Sequence, residues 1–280
     1  MPKTIKNSAP INNDDLRKSI YNGDIYKLPA TDQSLQIVDT AIRLITEEFK
    51  TEDIRKVYNT IDKDEYFYAI GRLRKKLFKE EILNTLLIEL LEGLNFSVSD
   101  CKIEPLRLRA ICHDGHLNPK AAPIYYPHRD TWYSHPQSLI VFWFPLDDLE
   151  ENETFEFYPE YFNQPVQNDS QYFNYDQWIK DGEEKKIGWQ NINTGTDSLY
   201  PTIQNDLKPK EKINFSCKKG EILIFSGSQY HKTIPQSLGT TRYSADFRLV
   251  NMKHYQNNLG APNVDNQSQG SALIDYISLK

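Results

Sequence analysis

The chain has 280 residues, of which 39% are hydrophobic and 26% charged, the ordinary composition of a globular protein with a well-buried core. Its net charge of −6 at pH 7 gives no electrostatic reason to expect nucleic acid or an anionic membrane as the main partner. The three cysteines have no zinc-site spacing, and no apolar run reaches the roughly 18 residues of a membrane span. We therefore expect a cytoplasmic protein that acts on a small molecule.

The first third of the chain is predicted to be helical after a polar start. Residues 1–30 are polar and are expected to form a loosely attached arm. Apolar residues then recur at three- and four-residue steps, which predicts a helix that begins with Thr31 or Asp32 as its cap and ends near Phe49. A similar apolar stripe runs from Asp62 to Leu94, and it predicts further helices that pack against a larger body.

After residue 96 the sequence changes to short alternating stretches. Strands are predicted at Ile103–Cys112, Ser138–Leu146, Thr154–Tyr158, Ile213–Ser216, Glu221–Phe225 and Arg242–Val250. No helices are predicted between them, so the pattern favours a β-sandwich or barrel over a parallel α/β fold. Residues 163–212 interrupt the series with polar sequence that carries Trp178 and Trp189. A connection of this length is either a functional lid or a surface excursion without a special role.

Two short stretches carry residues that can bind a metal. His128 and Asp130 are two positions apart, so in a strand both side chains face the same side. His231 lies far downstream, just past a predicted strand that can bring it beside them. Two neutral imidazoles and one carboxylate on one face are the facial triad that holds Fe(II) and leaves other positions open. A lone His-x-Asp pair is weak evidence, and the default for the other histidines is a packed or exposed side chain.

Arg242 strengthens the metal hypothesis because it follows His231 by eleven residues, on a neighbouring predicted strand. Arginine is always charged and binds a carboxylate through two parallel hydrogen bonds, each worth roughly 1.5–3 kcal/mol. A dicarboxylate can chelate iron with one end and meet Arg242 with the other. Ser244, two residues on, can donate to the same carboxylate. Taken alone, Arg242 would be interpreted as an ordinary surface salt bridge.

With these motifs the sequence resembles the Fe(II)/2-oxoglutarate-dependent dioxygenases, and in particular their phytanoyl-CoA dioxygenase-like branch. The resemblance rests on His128-Arg129-Asp130, on His231 and on Arg242-Tyr243-Ser244. It also includes a strand-to-proline turn in residues 154–160, and it covers roughly residues 100–250.

The resemblance implies a mainly β fold with flanking helices, built on a double-stranded β-helix, or jelly-roll, core. It implies that His128, Asp130 and His231 bind Fe(II) as the catalytic residues, and that Arg242 with Ser244 holds 2-oxoglutarate. With O₂, 2-oxoglutarate would be decarboxylated to succinate and CO₂ while the substrate is hydroxylated. Related halogenases have a small residue in place of the carboxylate ligand. This sequence keeps Asp130, which favours hydroxylation.

The whole chain is predicted to be a single dioxygenase domain. Its parts would be an arm at residues 1–30, helical support at 31–96, a jelly-roll core at 97–255 that includes the insert at about 163–212, and a C-terminal tail at 256–280.

The substrate is expected to be a small polar metabolite, either an amino-acid derivative or a specialised natural product, with an alkaloid as one candidate. The candidate substrate contacts are Arg129, Trp132, Tyr133, Arg107, Arg109, Arg248, Trp178 and Trp189. For Arg248 a structural ion pair is at least as reasonable. The same iron site could instead catalyse desaturation, cyclisation or epimerisation. A non-enzymatic jelly-roll ligand-binding protein and a divalent-metal hydrolase are two competing interpretations.

Overall fold

The protein combines a helical N-terminal region with two β-sheets. A computed structural model describes residues 5–10, 12–118, 121–185 and 200–279. The helices are α1 (Asn13–Tyr21), α2 (Asp32–Phe49), α3 (Lys63–Leu77), α4 (Glu81–Gly93), α5 (Tyr175–Lys185) and α6 (Met252–Gln256). The strands are β1 (Ile5–Lys6), β2 (Ile25–Leu28), β3 (Cys101–Ile111), β4 (Leu139–Pro145), β5 (Phe155–Phe157), β6 (Ile222–Ser226), β7 (His231–Thr233), β8 (Arg242–Asn251) and β9 (Ile277–Ser278). None of the helices within those ranges has the length and apolar character that crossing a lipid bilayer requires.

The larger sheet has seven strands in the order β1-β2-β6-β4-β8-β3-β9, and the smaller sheet pairs β5 with β7. Every pairing in the larger sheet is antiparallel except that of β1 with β2. His128 and His231 form an isolated antiparallel bridge beside the smaller sheet. The predicted fold class, a mainly β jelly-roll core with flanking helices, is confirmed.

Strand β8 separates two cores because its side chains alternate between the faces of the larger sheet. All ten of its residues are buried. The odd-numbered residues from 243 to 249 join the apolar core shared with the helices, where Phe247 stacks on Phe142 with ring centroids 4.7 Å apart. The even-numbered residues from 242 to 248 are polar and line a cavity on the opposite face. Buried polar groups are costly unless they are paired, so this second face is where a function is expected.

Helix α2 begins and ends where the sequence predicts. The backbone N–H of Ser34 donates to the Thr31 hydroxyl over 3.1 Å, and the Thr31 N–H donates to the Ser34 hydroxyl over 2.8 Å. This reciprocal capping box satisfies two backbone donors that the first turn of a helix leaves without partners. The apolar stripe from Asp62 to Leu94 forms two helices, α3 and α4, separated by a turn at residues 78–80.

The polar N-terminal residues are attached more closely than the loose arm that the sequence predicts. Strand β2 pairs with β6 inside the larger sheet, with Tyr26 opposite Ile224. Leu16 and Ile20 of α1 are fully buried. The polar composition of these residues does not predict this attachment. An amphipathic helix buries only one face, and the backbone of a strand can pair with a sheet edge whatever its side chains are.

Two features of the smaller sheet differ from the sequence prediction. Residues 213–216 form no strand, since Ile213 makes only an isolated bridge with Phe157. Strand β7, which carries His231, has no signal in the sequence because three residues are too few to show alternation.

We propose that the chain is a single domain. Residues of α2, α3 and α4 belong to the same apolar cluster as residues of β3, β4 and β8. The C-terminal residues also return to the sheet, where β9 pairs with β3.

Gly260 provides a test of how the C-terminal residues pack. A Cβ atom at Gly260 would lie 2.5 Å from the carbonyl carbon of Gln137, a backbone atom that cannot rotate away. We expect Gly260→Ala to lower the free energy of unfolding by about 1–3 kcal/mol, as overpacking does. Gly71→Ala is the matched control, because no atom lies within 4 Å of a Cβ there. It should stabilise α3 by up to about 1 kcal/mol. Urea unfolding measures both, and equal effects would contradict the close packing.

Candidate active site

A cavity of about 110 Å³ lies on the polar face of β8. All five of the residues predicted to bind iron or 2-oxoglutarate line it: His128, Asp130, His231, Arg242 and Ser244. More than 100 residues of sequence separate the first of these from the last, so the tertiary fold brings them together.

The two histidines face each other beside the smaller sheet. Their backbones exchange hydrogen bonds of 2.9 and 3.0 Å, and their ring centroids are 4.4 Å apart. Nδ1 of His128 lies 2.8 Å from the carbonyl oxygen of Tyr126, and Nδ1 of His231 lies 3.0 Å from that of Gln229. A carbonyl oxygen only accepts, so each Nδ1 carries the proton of the ring. Each Nε2 therefore keeps a lone pair that can bind a metal.

Burial keeps both imidazoles neutral. It lowers the pKa of His128 to about 3, and the neighbouring His231 adds to this shift. Burial also lowers the pKa of His231, although Asp130 opposes the change. Neutral imidazole is the form that binds a metal, so neither ring has to lose a proton at pH 7 before an ion binds.

Asp130 is held by an arginine of β8. Its Oδ1 accepts a hydrogen bond of 2.7 Å from Nη2 of Arg248, which also pairs with Glu104. Burial pushes the pKa of Asp130 upward, but the guanidinium of Arg248 holds it well below its usual range. The carboxylate is therefore ionised, as a metal ligand must be. Arg248, a predicted substrate contact, already has two carboxylate partners inside the protein.

The donor types fit iron, although the side chains do not form a complete metal cluster as they stand. In the described part of the chain, no group of three or more His, Cys, Asp or Glu side chains qualifies by itself as a metal site. Two Nε2 lone pairs and one ionised carboxylate are nonetheless the ligand types of the facial triad. An ion bound here would share Asp130 with the guanidinium of Arg248.

Another part of the cavity wall contains buried donors that lack acceptors. Nε and Nη1 of Arg242 and Oγ of Ser244 are buried, and no described residue offers them a hydrogen-bond partner. Leaving such a group unmatched costs roughly 1–3 kcal/mol. Burial, with repulsion from Arg109, lowers the pKa of Arg242 to about 10. A carboxylate would satisfy these donors and restore the charge balance, so this part of the site fits one end of a dicarboxylate.

Comparison with known families agrees with this geometry. The family model described as phytanoyl-CoA dioxygenase (PhyH) matches residues 36–242, which include both histidines, Asp130 and Arg242. The chain belongs to the phytanoyl-CoA dioxygenase family. Membership confirms the resemblance seen in the sequence and the dependence on iron and 2-oxoglutarate that the resemblance implies.

Solved structures with a similar chain path share little sequence with this family member. EvdO2 from Micromonospora carbonacea var. aurantiaca is 11% identical with a TM-score of 0.49, and the match covers 88% of this chain and 93% of that one. AviO1 from Streptomyces viridochromogenes Tue57 is 11% identical with a TM-score of 0.40, covering 87% and 96%. SnoN, an alpha-ketoglutarate-dependent epimerase from nogalamycin biosynthesis, is 12% identical with a TM-score of 0.41, covering 85% and 82%. No curated protein matches the sequence.

Three of the predicted substrate contacts, Tyr133, Arg109 and Arg248, line the cavity of this phytanoyl-CoA dioxygenase family member. Arg109 forms a bidentate ion pair with Asp246, over 2.6 and 3.1 Å. Arg107 is paired with Glu104 and lines a smaller neighbouring pocket. A substrate role for these residues stays a prediction.

The insert contributes an aromatic wall to that neighbouring pocket. Its members there are Phe173, Tyr175, Trp178 and Tyr200. Trp178 packs on Tyr175 with ring centroids 5.4 Å apart, and both lie on α5, a helix that the sequence pattern does not predict. Trp189 lies outside the described residues. Whether the insert acts as a lid, and whether either tryptophan contacts substrate, stays a prediction.

Arg129 and Trp132 are engaged in a clamp and do not line the cavity. Arg129 is 1% exposed, its two terminal nitrogens donate to backbone carbonyls, and its Nε lies 3.0 Å from Oδ2 of Asp265. Oδ1 of Asp265 accepts a 2.8 Å hydrogen bond from Nε1 of Trp132. Asp265 thereby fixes residues on both sides of Asp130. Asp265 could not be found from the sequence, because one carboxylate in a polar C-terminal stretch carries no signal.

The clamp can be tested by removing its charge. Asp265→Asn leaves the buried guanidinium of Arg129 without a counter-charge, so we expect the free energy of unfolding to fall by about 3 kcal/mol. Glu47→Gln is the control, because it breaks an exposed 2.9 Å pair with Arg43 within α2. That change should cost only about 0.3–0.5 kcal/mol. Chemical denaturation compares the two, and similar losses would show that Asp265 is no more important than a surface charge.

Proposed function

We propose that this protein is an Fe(II)/2-oxoglutarate-dependent hydroxylase of a small polar metabolite. His128, Asp130 and His231 would hold the iron, and Arg242 with Ser244 would hold the distal carboxylate of 2-oxoglutarate. When bound, iron with 2-oxoglutarate and O₂ supplies the oxidant for a C–H bond of the substrate, and succinate and CO₂ are released. The observation that carries this proposal is the unmatched set of buried donors on Arg242 and Ser244, in the same cavity as two histidines with available Nε2 atoms.

The protein's own residues would orient the co-substrate and keep water away. The guanidinium of Arg242 lies 5.7 Å from the ring centroid of Trp143, which gives its plane a fixed support. Phe155 and Phe225 pack against His231 with ring centroids 5.7 and 5.6 Å away. An apolar surround of this kind excludes water and strengthens the electrostatic contacts within the site.

The site favours this proposal over the non-oxidative functions. A divalent-metal hydrolase has no carboxylate co-substrate that would use the buried donors of Arg242. A non-enzymatic binding protein has no need for two opposed histidines with their Nε2 atoms available. Retention of Asp130 supports hydroxylation over halogenation. Desaturation, cyclisation and epimerisation would use the same residues and are alternative outcomes of the proposed iron site.

Iron binding tests the ligand assignment. We expect His231→Ala to remove one of two imidazole ligands, abolishing iron binding and turnover while the fold is kept. Anaerobic Fe(II) titration with 2-oxoglutarate, followed by the visible absorption of the complex, measures this. His116→Ala is the control, since His116 packs on Tyr125 away from the cavity wall. Retained absorption and turnover in His231→Ala would refute the assignment.

The co-substrate assignment predicts a separate defect. Arg242→Ala removes two charge-assisted hydrogen bonds, so the 2-oxoglutarate concentration for half-maximal turnover should rise by roughly 100-fold or more. Ser244→Ala removes one neutral donor and should raise it by no more than about tenfold. Both variants should still bind iron. An unchanged 2-oxoglutarate requirement in Arg242→Ala would mean that the carboxylate binds elsewhere.

A further inference from the structure

The helical region contributes an arginine to the cavity wall. Arg74, on α3, reaches the edge of β3 that β9 leaves uncovered, and its Nε donates a 3.0 Å hydrogen bond to the carbonyl oxygen of Leu108. Its side chain lines the cavity together with Arg109 of β3. The sequence predicts only a supporting role for α3, whereas the structure makes this helix part of the site.

The other cavity arginines already have partners or an assigned role. Arg109 pairs with Asp246, and Arg248 pairs with Asp130. Arg242 is proposed to meet the co-substrate. Within the described ranges, the hydrogen bond to Leu108 is the only one that the Arg74 side chain makes, and its guanidinium forms no ion pair with a carboxylate.

Charge in and around the cavity is unbalanced. The guanidiniums that line it and the neighbouring pocket are those of Arg74, Arg107, Arg109, Arg242 and Arg248, and the carboxylates are those of Glu104, Asp130 and Asp246. Five positive groups thus face three negative ones in the described residues, although the whole chain carries −6. Ferrous iron and 2-oxoglutarate carry opposite charges of equal size, so their binding leaves the excess in place.

The pKa of the Arg74 guanidinium reflects burial and this excess of positive charge. Burial, together with repulsion from Arg109 and Arg107, lowers its pKa to about 10. Arg74 is partly buried, and like charges held close together are unfavourable, so a bound anion lowers that penalty. Pro123 and Ile124 line the same cavity and provide an apolar surface next to these charges.

We propose that Arg74, with Arg109 beside it, binds an oxyanion of the substrate, which is therefore a small molecule with a carboxylate or phosphate group. This proposal rests on the proposed function and narrows its substrate class. Arg74 anchors the anionic group, while Pro123 and Ile124 contact the adjoining carbon skeleton. An amino-acid derivative meets the requirement with its own carboxylate, whereas a neutral alkaloid does not.

The test compares probes with similar alkyl chains and different charge. Hexanoate, hexyl phosphate and hexanamide are titrated into protein loaded anaerobically with Fe(II) and 2-oxoglutarate, and separately into metal-free protein. Tryptophan fluorescence reports binding because Trp143 lines the cavity. We expect at least one of the two anions to bind about tenfold more tightly than hexanamide, as one charge-assisted hydrogen bond provides. The tighter anion identifies the oxyanion.

Variants on α3 assign the effect to one side chain. Arg74→Gln keeps a donor for the Leu108 carbonyl and should abolish the preference for anions, whereas Arg74→Lys keeps the charge and should retain most of it. Arg72→Gln is the matched control, because Arg72 pairs with Glu48 over 2.7 Å on the exposed side of the same helix. It should leave the preference unchanged.

Three results would overturn the proposal. In the first, wild-type protein binds the anions no better than the amide or binds none of the probes. In the second, the anion preference survives in Arg74→Gln, and in the third it is lost in Arg72→Gln.

The affinity for 2-oxoglutarate is measured in parallel from the visible absorption of the Fe(II) complex. If Arg74→Gln weakens 2-oxoglutarate instead of the probes, Arg74 serves the co-substrate and the proposal fails. If wild-type protein forms no such complex but metal-free protein still prefers anions, only the proposed function fails.

Discussion

The buried ion pair between Asp130 and Arg248 is the interaction on which the site depends. Both side chains are almost fully buried, and Arg248 also pairs with Glu104. Charges taken out of water are tolerated only when each has a partner, and the loss of one partner costs more than the pair contributes. Asp130 is therefore held ionised beside the two neutral histidines. This combination of protonation states suits a ferrous ion.

Strand β8 organises the molecule around that pair. One face of β8 packs aromatic and aliphatic side chains against the helices, and the other presents Arg242, Ser244, Asp246 and Arg248 to the cavity. Its register with β3 places Arg109 opposite Ser244, within reach of Asp246. A shift of one residue would turn every polar side chain of β8 into the apolar core, so the fold and the site depend on the same register.

Two residues from peripheral parts of the chain complete this arrangement. Asp265, near the C-terminus, holds Arg129 and Trp132, which flank Asp130. Arg74 arrives from the helical region and adds a positive charge to the cavity wall. Segments whose sequence indicates only a support and a tail thus affect the position of Asp130, a proposed iron ligand, and the charge of the cavity.

The sequence by itself determined the elements with a strong local period, α2 and strands β3, β4 and β8, and motif spacing predicted the roles proposed for the histidines, Asp130 and Arg242. Only the tertiary structure decided that β7 exists and that Arg248 is paired with Asp130 and Glu104. It also decided that Asp265 holds the residues flanking Asp130 and that Arg74 lines the cavity. The physical reason is the distance along the chain over which each kind of interaction acts. Periodicity and capping act over a few residues, whereas ion pairs such as that of Arg129 with Asp265 join residues far apart in the chain and leave no local pattern.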